Sequence, residues 1–416
     1  MKELKGACII GQSGGPTSAI NASTYGAIKT ALESENITAV YGALNGIKGV
    51  LEDNLIDMSK EDREELEYMK HTPSSALGSC RYKLKNPDVD DTDYKRILEI
   101  FRKYNVRYFF YNGGNDSMDT CNKISKFMLK NSYECYVMGI PKTIDNDLNC
   151  TDHCPGYGSA AKYIATSLME IYHDARVYDT GMITVVEIMG RNAGWLTAAA
   201  ALACHKGAGP DLIYCPENVF DLDAAMVKIN EIYKKNGKCI IAVSEGIKDK
   251  DGRYISEYGN DLSNAKDGFG HAQLGGLAAY LANYIKQQTG AKVRGIELSL
   301  LQRCAAHCAS QTDIEESFSA GKAAVDCAVK GITDKMVGFE RCYENGKYVC
   351  KTKLFELTDV ANVEKKIPDE WFNESKDGLN EKFIEYALPL IQGETRLVKV
   401  DGLPRFVRLK KVKVQK

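Results

Sequence analysis

Tyr136-Val137-Met138-Gly139-Ile140 runs directly into Pro141-Lys142-Thr143-Ile144-Asp145-Asn146-Asp147. The first five residues form the short apolar run that a buried strand leaves in a sequence. Pro141 has no N–H to give to a ladder, so the strand stops there. The six positions that follow carry one cation, one hydroxyl, one amide and two carboxylates. Asp and Asn are ordinary turn residues, but a turn asks for no lysine set against two carboxylates directly behind a buried strand. Open α/β sheets bind ligands beyond the carboxyl ends of their strands. In that place this mixture suits phosphate, metal and proton transfer together; a solvated loop is the alternative.

Two further junctions decide between them. Val106 to Tyr111 is β-branched and aromatic, a strand, and Gly113-Gly114-Asn115-Asp116-Ser117 follows, with a helix beginning near Met118. Ala7 to Ile10 is apolar and leads into Gly11-Gln12-Ser13-Gly14-Gly15-Pro16, then into a helix over Ser18 to Leu32. Strand, glycine loop and helix N-terminus together aim backbone N–H groups at a phosphate. The first loop lacks the Lys-Ser/Thr of a P-loop and the spacing of GxGxxG. Ser79-Cys80-Arg81 lies in a further loop, where Arg81 is a solvated arginine or an anion clamp. Three such loops at strand ends share one crevice in a parallel sheet.

The remaining chain continues the alternation. Strands are expected over Thr38 to Leu44, Ile183 to Ile188, Leu212 to Cys215, Lys238 to Val243 and Val293 to Leu298, with a short one at Lys335 to Gly338. Helices are expected over Lys60 to Lys70, after an N-cap at Asp91-Thr92, over Asn192 to Ala203, Gly275 to Gln287 and Ile314 to Val329. Trp195 is expected in the core, and His271 and His307 in structural roles. Asp261 to Asp267 is polar and reads as a mobile loop, the stretch from Ala361 is less readable, and the end, RFVRLKKVKVQK, is basic. That end reads as a solvated tail or a sheet edge.

With 416 residues, 44% of them hydrophobic and 26% charged, the chain reads as two or three soluble domains. A net charge of -2 gives no electrostatic reason to expect nucleic acid or an acidic membrane as partner. No apolar run reaches transmembrane length, and the opening MKELKGACII meets a glycine too soon for a signal peptide. The 14 cysteines are scattered without a CxxC pair, which suits free thiols in a reducing cytoplasm. The spacings Cys150/Cys154 and Cys304/Cys308 leave metal ligation as the lesser reading.

Gly14-Gly15, Gly113 to Ser117 and Pro141 to Asp147 resemble the phosphofructokinases. Met189-Gly190-Arg191, Pro216-Glu217, Ser244-Glu245-Gly246 and the stretch Arg294 to Arg303 continue the likeness, collinear from about Ala7 to about Gly338. The family has an ATP-dependent and a pyrophosphate-dependent branch. ATP users carry glycine where this chain has Asp116 and Lys142. A carboxylate a few ångströms from a nucleotide α-phosphate repels it by roughly 4 kcal/mol at an effective dielectric near 20. Unrelieved, that disfavours ATP about a thousandfold. An ammonium at Lys142 stabilises a leaving phosphate that bears no nucleotide, or merely pairs with Asp116 as a structural ion pair. The resemblance therefore implies pyrophosphate as donor.

It implies two Rossmann-like α/β domains with largely parallel sheets and the active site in the cleft between them. The expected division is 1–156 plus 301–360 for the pyrophosphate domain, 157–300 for the sugar-phosphate domain, and 361–416 as a C-terminal extension packing on both. By the same resemblance Asp145 is the general base, and Lys142, Thr143 and Arg191 complete the catalytic set. Gly14, Gly15, Arg81, Asp116 and Lys142 hold pyrophosphate. Thr143, Asp145, Met189, Gly190, Arg191, Glu245, Arg294 and Arg303 hold fructose 6-phosphate. Asn115 and Asp147 hold Mg2+, although many relatives have Asp where this chain has Asn115. Met182 and Leu300 also depart from the family, standing where relatives carry an arginine and a histidine. The implied enzyme is a cytoplasmic homodimer or homotetramer; an ATP-dependent enzyme and a non-catalytic sugar-phosphate-binding subunit are the alternatives.

Overall fold

β1 (Gly6–Gln12) and β4 (Val106–Gly113) lie side by side at the centre of a seven-stranded sheet. The computed structural model describes residues 4–259, 275–361 and 363–415, so the expected loop at Asp261 to Asp267 and His271 lie outside the described residues. The other strands of this sheet are β2 (Ile37–Ala43), β3 (Leu55–Asp57), β5 (Tyr136–Pro141), β10 (Lys335–Glu344) and β11 (Lys347–Glu356). Their order is β11-β10-β5-β4-β1-β2-β3. From β10 to β2 every pair is parallel, while β3 and β11 close the two ends antiparallel.

Neighbouring residues of β1 and β4 enter different cores, because successive side chains leave a strand on opposite faces. Ile9 and Phe109 pack with Ile97 and Phe101 of α2 (Thr92–Lys103) and with Met118 of α3 (Asn115–Lys130). Ile10 and Phe110 pack with Ala27 and Ile28 of α1 (Ile20–Glu33), beside Ala320 and Ala324. Covered on both faces, such strands read as continuous apolar runs.

The second sheet holds β6 (Met182–Ile188), β7 (Leu212–Tyr214), β8 (Lys238–Ser244) and β9 (Val293–Glu297), in the order β7-β8-β6-β9 and all parallel. One face packs Ile183, Val185 and Ile241 against Met226 and Leu281. The other packs Val186 and Ile188 with Trp195, Ala160, Ile164 and, from far along the chain, Phe372, Phe383 and Tyr386. The C-terminal stretch is thus part of a core.

Several elements differ from expectation. The strand at Lys335 is ten residues long and turns back as a ten-residue hairpin partner. The helix after β4 begins at Asn115, not Met118, so Asn115 and Asp116 stand in its first turn. Asp91 makes no side-chain cap; Asp90 accepts from the Thr92 N–H instead. The expected helix over Lys60 to Lys70 breaks at Asp62, whose carboxylate caps a fresh helix at Arg63–Glu67. The helix over Asn192 to Ala203 starts at Trp195 and is interrupted at Ala199. The basic tail pairs with β3: Asp57 N–H donates to Val412 O (2.9 Å) and Val414 N–H to Leu55 O (3.1 Å). Glu61 accepts the backbone N–H groups of Lys410 and Lys411, so the tail covers an otherwise open sheet edge. Among the described residues no helix is long and apolar enough to cross a membrane.

Candidate active site

The carboxyl ends of β1, β4 and β5 carry three loops that are tied to one another. The Lys142 N–H donates to Gly113 O (3.0 Å), joining the ends of β5 and β4. Gly14, at φ +77, takes a left-handed backbone that a residue with a Cβ enters only at a cost. Its N–H donates to Cys80 O (3.1 Å), and Ser79 Oγ donates to its carbonyl (2.6 Å). These bonds set the Arg81 loop against the glycine loop. Beneath them, Gln12 Nε2 donates to Asn21 Oδ1 and Thr24 Oγ1, and Asn112 Nδ2 also donates to Thr24 Oγ1. This buried polar layer was missed in the sequence; its only signal was an amide near the end of each strand, within two residues of a glycine.

Lys142 is 3% exposed, and its Nζ donates to Gly15 O at 2.6 Å. Asp116 pairs with Lys83 at 3.4 Å. The Lys142–Asp116 ion pair left open by the sequence therefore gives way to two separate arrangements, and Lys83 offsets part of the charge at Asp116. The Thr143 N–H donates to Pro155 O (3.2 Å), while Thr143 Oγ1 accepts from the Asp145 N–H (3.1 Å). Asn115 Nδ2 donates to Val363 O (2.8 Å).

Burial sets the protonation of this group. It pushes the Asp145 carboxyl up to about 7, helped by Asp147 and Glu245 and opposed by Lys142 and Arg191. It pulls Lys142 down to about 8 in spite of Asp145 and Asp147, with Arg81 and Arg303 adding to the fall. Asp147 is also raised by burial and by Glu364, against a hydrogen bond from Thr143. Groups that perturb one another this strongly share one low-dielectric space.

The second sheet closes the site from the opposite side. Gly190 N–H donates to Glu245 Oε1 (3.2 Å), and the Met189 N–H to Gln302 Oε1 (3.3 Å). Glu245 is itself raised by burial, opposed by Gly190 and Arg191. A Cβ on Gly246 would fall 1.9 Å from Arg191 O, so only glycine lets these two loops pack. Arg303 reaches across to the first loop: a Cβ on Gly15 would lie 3.5 Å from its Nη1. Its charge bears on both Lys142 and Glu245. Arg294 is not brought in with the others. It is exposed near the start of β9, while the site lies past that strand's end at Glu297, about 10 Å on. Leu300 is 55% exposed.

A strap from the C-terminal stretch crosses this cleft, and no pattern of residues announces it. The Lys365 N–H donates to Asp147 O (2.7 Å), Asn192 Nδ2 donates to Glu364 Oε1 (2.9 Å), and Trp195 Nε1 donates to Lys365 O (2.9 Å). Glu217 accepts from the N–H groups of Gly194 (2.8 Å) and Ile367 (3.3 Å). The strap therefore touches the loops of both sheets.

Residues 7–328 match the family described as Phosphofructokinase. The chain is 43% identical over 409 residues to a Halomonas elongata protein named pyrophosphate–fructose 6-phosphate 1-phosphotransferase, covering 97% of this chain and 96% of that one. A Xanthomonas campestris protein of the same name is 44% identical, covering 99% and 98%. A solved structure, titled pyrophosphate-dependent phosphofructokinase from Marinobacter aquaeolei, superposes with a TM-score of 0.89 at 37% identity, covering 99% and 98% of the two chains.

Proposed function

The chain belongs to the phosphofructokinase family, and on that footing we propose its reaction: reversible phosphoryl transfer from pyrophosphate to the 1-hydroxyl of D-fructose 6-phosphate, giving fructose 1,6-bisphosphate and phosphate. The observation that carries this reading is the buried Lys142 ammonium, held on Gly15 O beside Asp145. A fixed cation in a dry pocket stabilises a departing phosphate that carries no nucleotide. Relatives that share nearly the full length of this chain and are named pyrophosphate–fructose 6-phosphate 1-phosphotransferase support it.

Asp145, with its carboxyl near neutrality, takes the proton of the 1-hydroxyl. The sugar oxygen forms its bond to the near phosphorus as the bridging P–O bond breaks, and the bridging electron pair leaves on the second phosphate. Lys142 and Arg191 gather the charge that develops. Thr143 orients Asp145 through the bond from the Asp145 N–H. Gly14, Gly15 and Arg81 hold the donor, with Asp116 at its border; Met189, Gly190, Glu245 and Arg303 hold the sugar phosphate, while Arg294, exposed near the start of β9, stands outside this cleft. Loss of the Asp145 proton acceptor, as in Asp145→Asn, tests the assignment.

Asp147 and the Asn115 amide oxygen suit Mg2+, since both are hard oxygen donors and the neighbouring carboxyls carry unbalanced negative charge. Bound there, Mg2+ supplies positive charge to phosphate oxygens. The boundaries 1–156 plus 301–360, 157–300 and 361–416 belong to the same proposal. So do a cytoplasmic location, consistent with free cysteines, and a homodimer or homotetramer. The exposed edge of β9, with Arg294, Leu300 and Leu301, is the surface suited to a second copy.

One observation favours an ATP-dependent enzyme: Lys83 weakens the repulsion that Asp116 exerts. Assays with pyrophosphate and with ATP as sole donor separate the two. Faster turnover with ATP overturns the pyrophosphate reading, and no turnover with either returns the chain to a sugar-phosphate-binding role.

A further inference from the structure

Asn146 stands between the two carboxylates of the catalytic loop with a left-handed backbone, φ +54, and a fully buried side chain. A non-glycine residue stays in that region only where its surroundings over-determine it. Both ends of the side chain are committed. Its Oδ1 accepts from the Cys154 N–H (2.9 Å), and its Nδ2 donates to Tyr386 Oη (2.7 Å). The amide therefore holds the loop.

Tyr386 lies 240 residues further along the chain. Besides accepting from Asn146, its hydroxyl donates to Asp152 O (2.8 Å), so one oxygen ties the start of the loop to its end. The ring is locked between Trp195 and Trp371, each with its centroid at 5.2 Å, and Arg341 Nη2 donates to Tyr386 O (2.9 Å). Lys365 grips the same loop from the strap. Its N–H donates to Asp147 O, and its Nζ donates to Thr151 O (3.1 Å) and Asp152 O (2.8 Å).

We propose that Tyr386 and Lys365 are positioning residues for phosphoryl transfer, fixing from the C-terminal stretch the loop 145–152 that presents Asp145 and Asp147. Both lie beyond the residues 7–328 that match the family, so this part of the machinery is supplied by the extension. Tyr386 sits under the loop, and Lys365 links it to Trp195 and so to the second sheet. The two halves of the cleft thereby keep one register. The inference rests on Asp145 as the base of the proposed reaction.

The test compares the full chain with Tyr386→Phe, Lys365→Met and Lys365→Arg. It reads kcat and KM with pyrophosphate and fructose 6-phosphate, and backbone amide exchange across residues 143–156. Small displacements of a catalytic group cost up to about a hundredfold. Tyr386→Phe and Lys365→Met are expected to lower kcat by about ten- to a hundredfold. Both KM values should stay within about twofold, amides of 145–154 should exchange faster, and β1 and β4 should exchange as before. Lys365→Arg, whose guanidinium can still donate to two carbonyls, should recover most of the turnover. Unaltered kcat in Tyr386→Phe and Lys365→Met overturns the proposal, whatever the exchange shows. Faster exchange spread through the whole sheet, with equal losses in Lys365→Arg, overturns it too by making the role one of global stability. A parent chain inactive with pyrophosphate rejects the reaction assigned above; loop exchange then decides the holding role, and unaltered exchange refutes it.

Discussion

Two buried charged clusters lie within ten residues of each other, and they are built on opposite terms. Around Asp145 the charges are left partly unanswered: Asp145, Asp147 and Glu245 are raised and Lys142 is lowered, all chiefly by burial. Around His153 they are paired with one another. His153 Nδ1 meets Asp152 at 2.8 Å and its Nε2 meets Glu316 at 2.7 Å, while Arg341 grips Asp152 through Nε (3.1 Å) and Nη2 (3.0 Å). Tyr348 donates to the other oxygen of Glu316 (2.9 Å). There the pairing outweighs burial, holding Asp152 well below the usual carboxylate range and raising His153. The first cluster has the imbalance that a charged substrate and a cation would offset. The second pairs its charges with one another, and through the Asp152 carbonyl it anchors the first.

The comparison breaks most sharply at Asp145. Asp145→Asn is expected to cut turnover by on the order of a thousandfold, within the usual range for a general base, as read by single-turnover kinetics. The same substitution should stabilise the fold above neutrality. An ordinary aspartate titrates near 3.9 in the unfolded chain, and Asp145 near 7 when folded. The unfolded state therefore binds fewer protons between those values, and stability falls as pH rises through that window. Removing the charge should raise the melting temperature at pH 8 and hardly change it at pH 3, which calorimetry would resolve.

His153→Ala should behave in the contrary way. It leaves Asp152 and Glu316 buried without their shared cation and is expected to cost about 3–5 kcal/mol in denaturant unfolding. In the parent chain the contribution of His153 is fully present below its unfolded pKa, near 6.5, and is lost as pH rises through its raised folded value. The variant's deficit should shrink accordingly in alkaline buffer.

Smaller effects sharpen the boundary of the first cluster. Asp116→Gly should raise ATP-dependent turnover by only about tenfold, equivalent to about 1.4 kcal/mol, because Lys83 already offsets part of the repulsion. Lys83→Ala, at a pair in which the lysine is 52% exposed, should change stability by less than about 1 kcal/mol in the same unfolding assay.

Much of the site was legible before any coordinates. Gly14, Gly15, Lys142, Thr143, Asp145, Asp147, Arg191, Glu245 and Arg303 follow or border strands whose apolar runs announce them, and the fold brings them to one cleft. Arg294 shared the pattern yet stands apart, because position along a strand decides which end of a sheet a residue serves. Asn146 was passed over as a turn residue between two conspicuous acids. Tyr386 and Lys365 left no signal, since an isolated tyrosine in a short helix, or a lysine in an irregular stretch, is usually solvated or simply packed.

What the amino-acid order determined by itself is the succession of strand, loop and helix, and with it the chemistry carried on each loop. Those rest on periodicity and on the few residues that end a strand, which are local properties. Only the tertiary structure decided which charges are paired and which are left wanting. Lys142 meets Gly15 across 127 positions, His153 meets Glu316 across 163, and Asn146 meets Tyr386 across 240. In a buried site the cost of a charge depends on the few ångströms to its partner, and those distances exist only once the chain has folded.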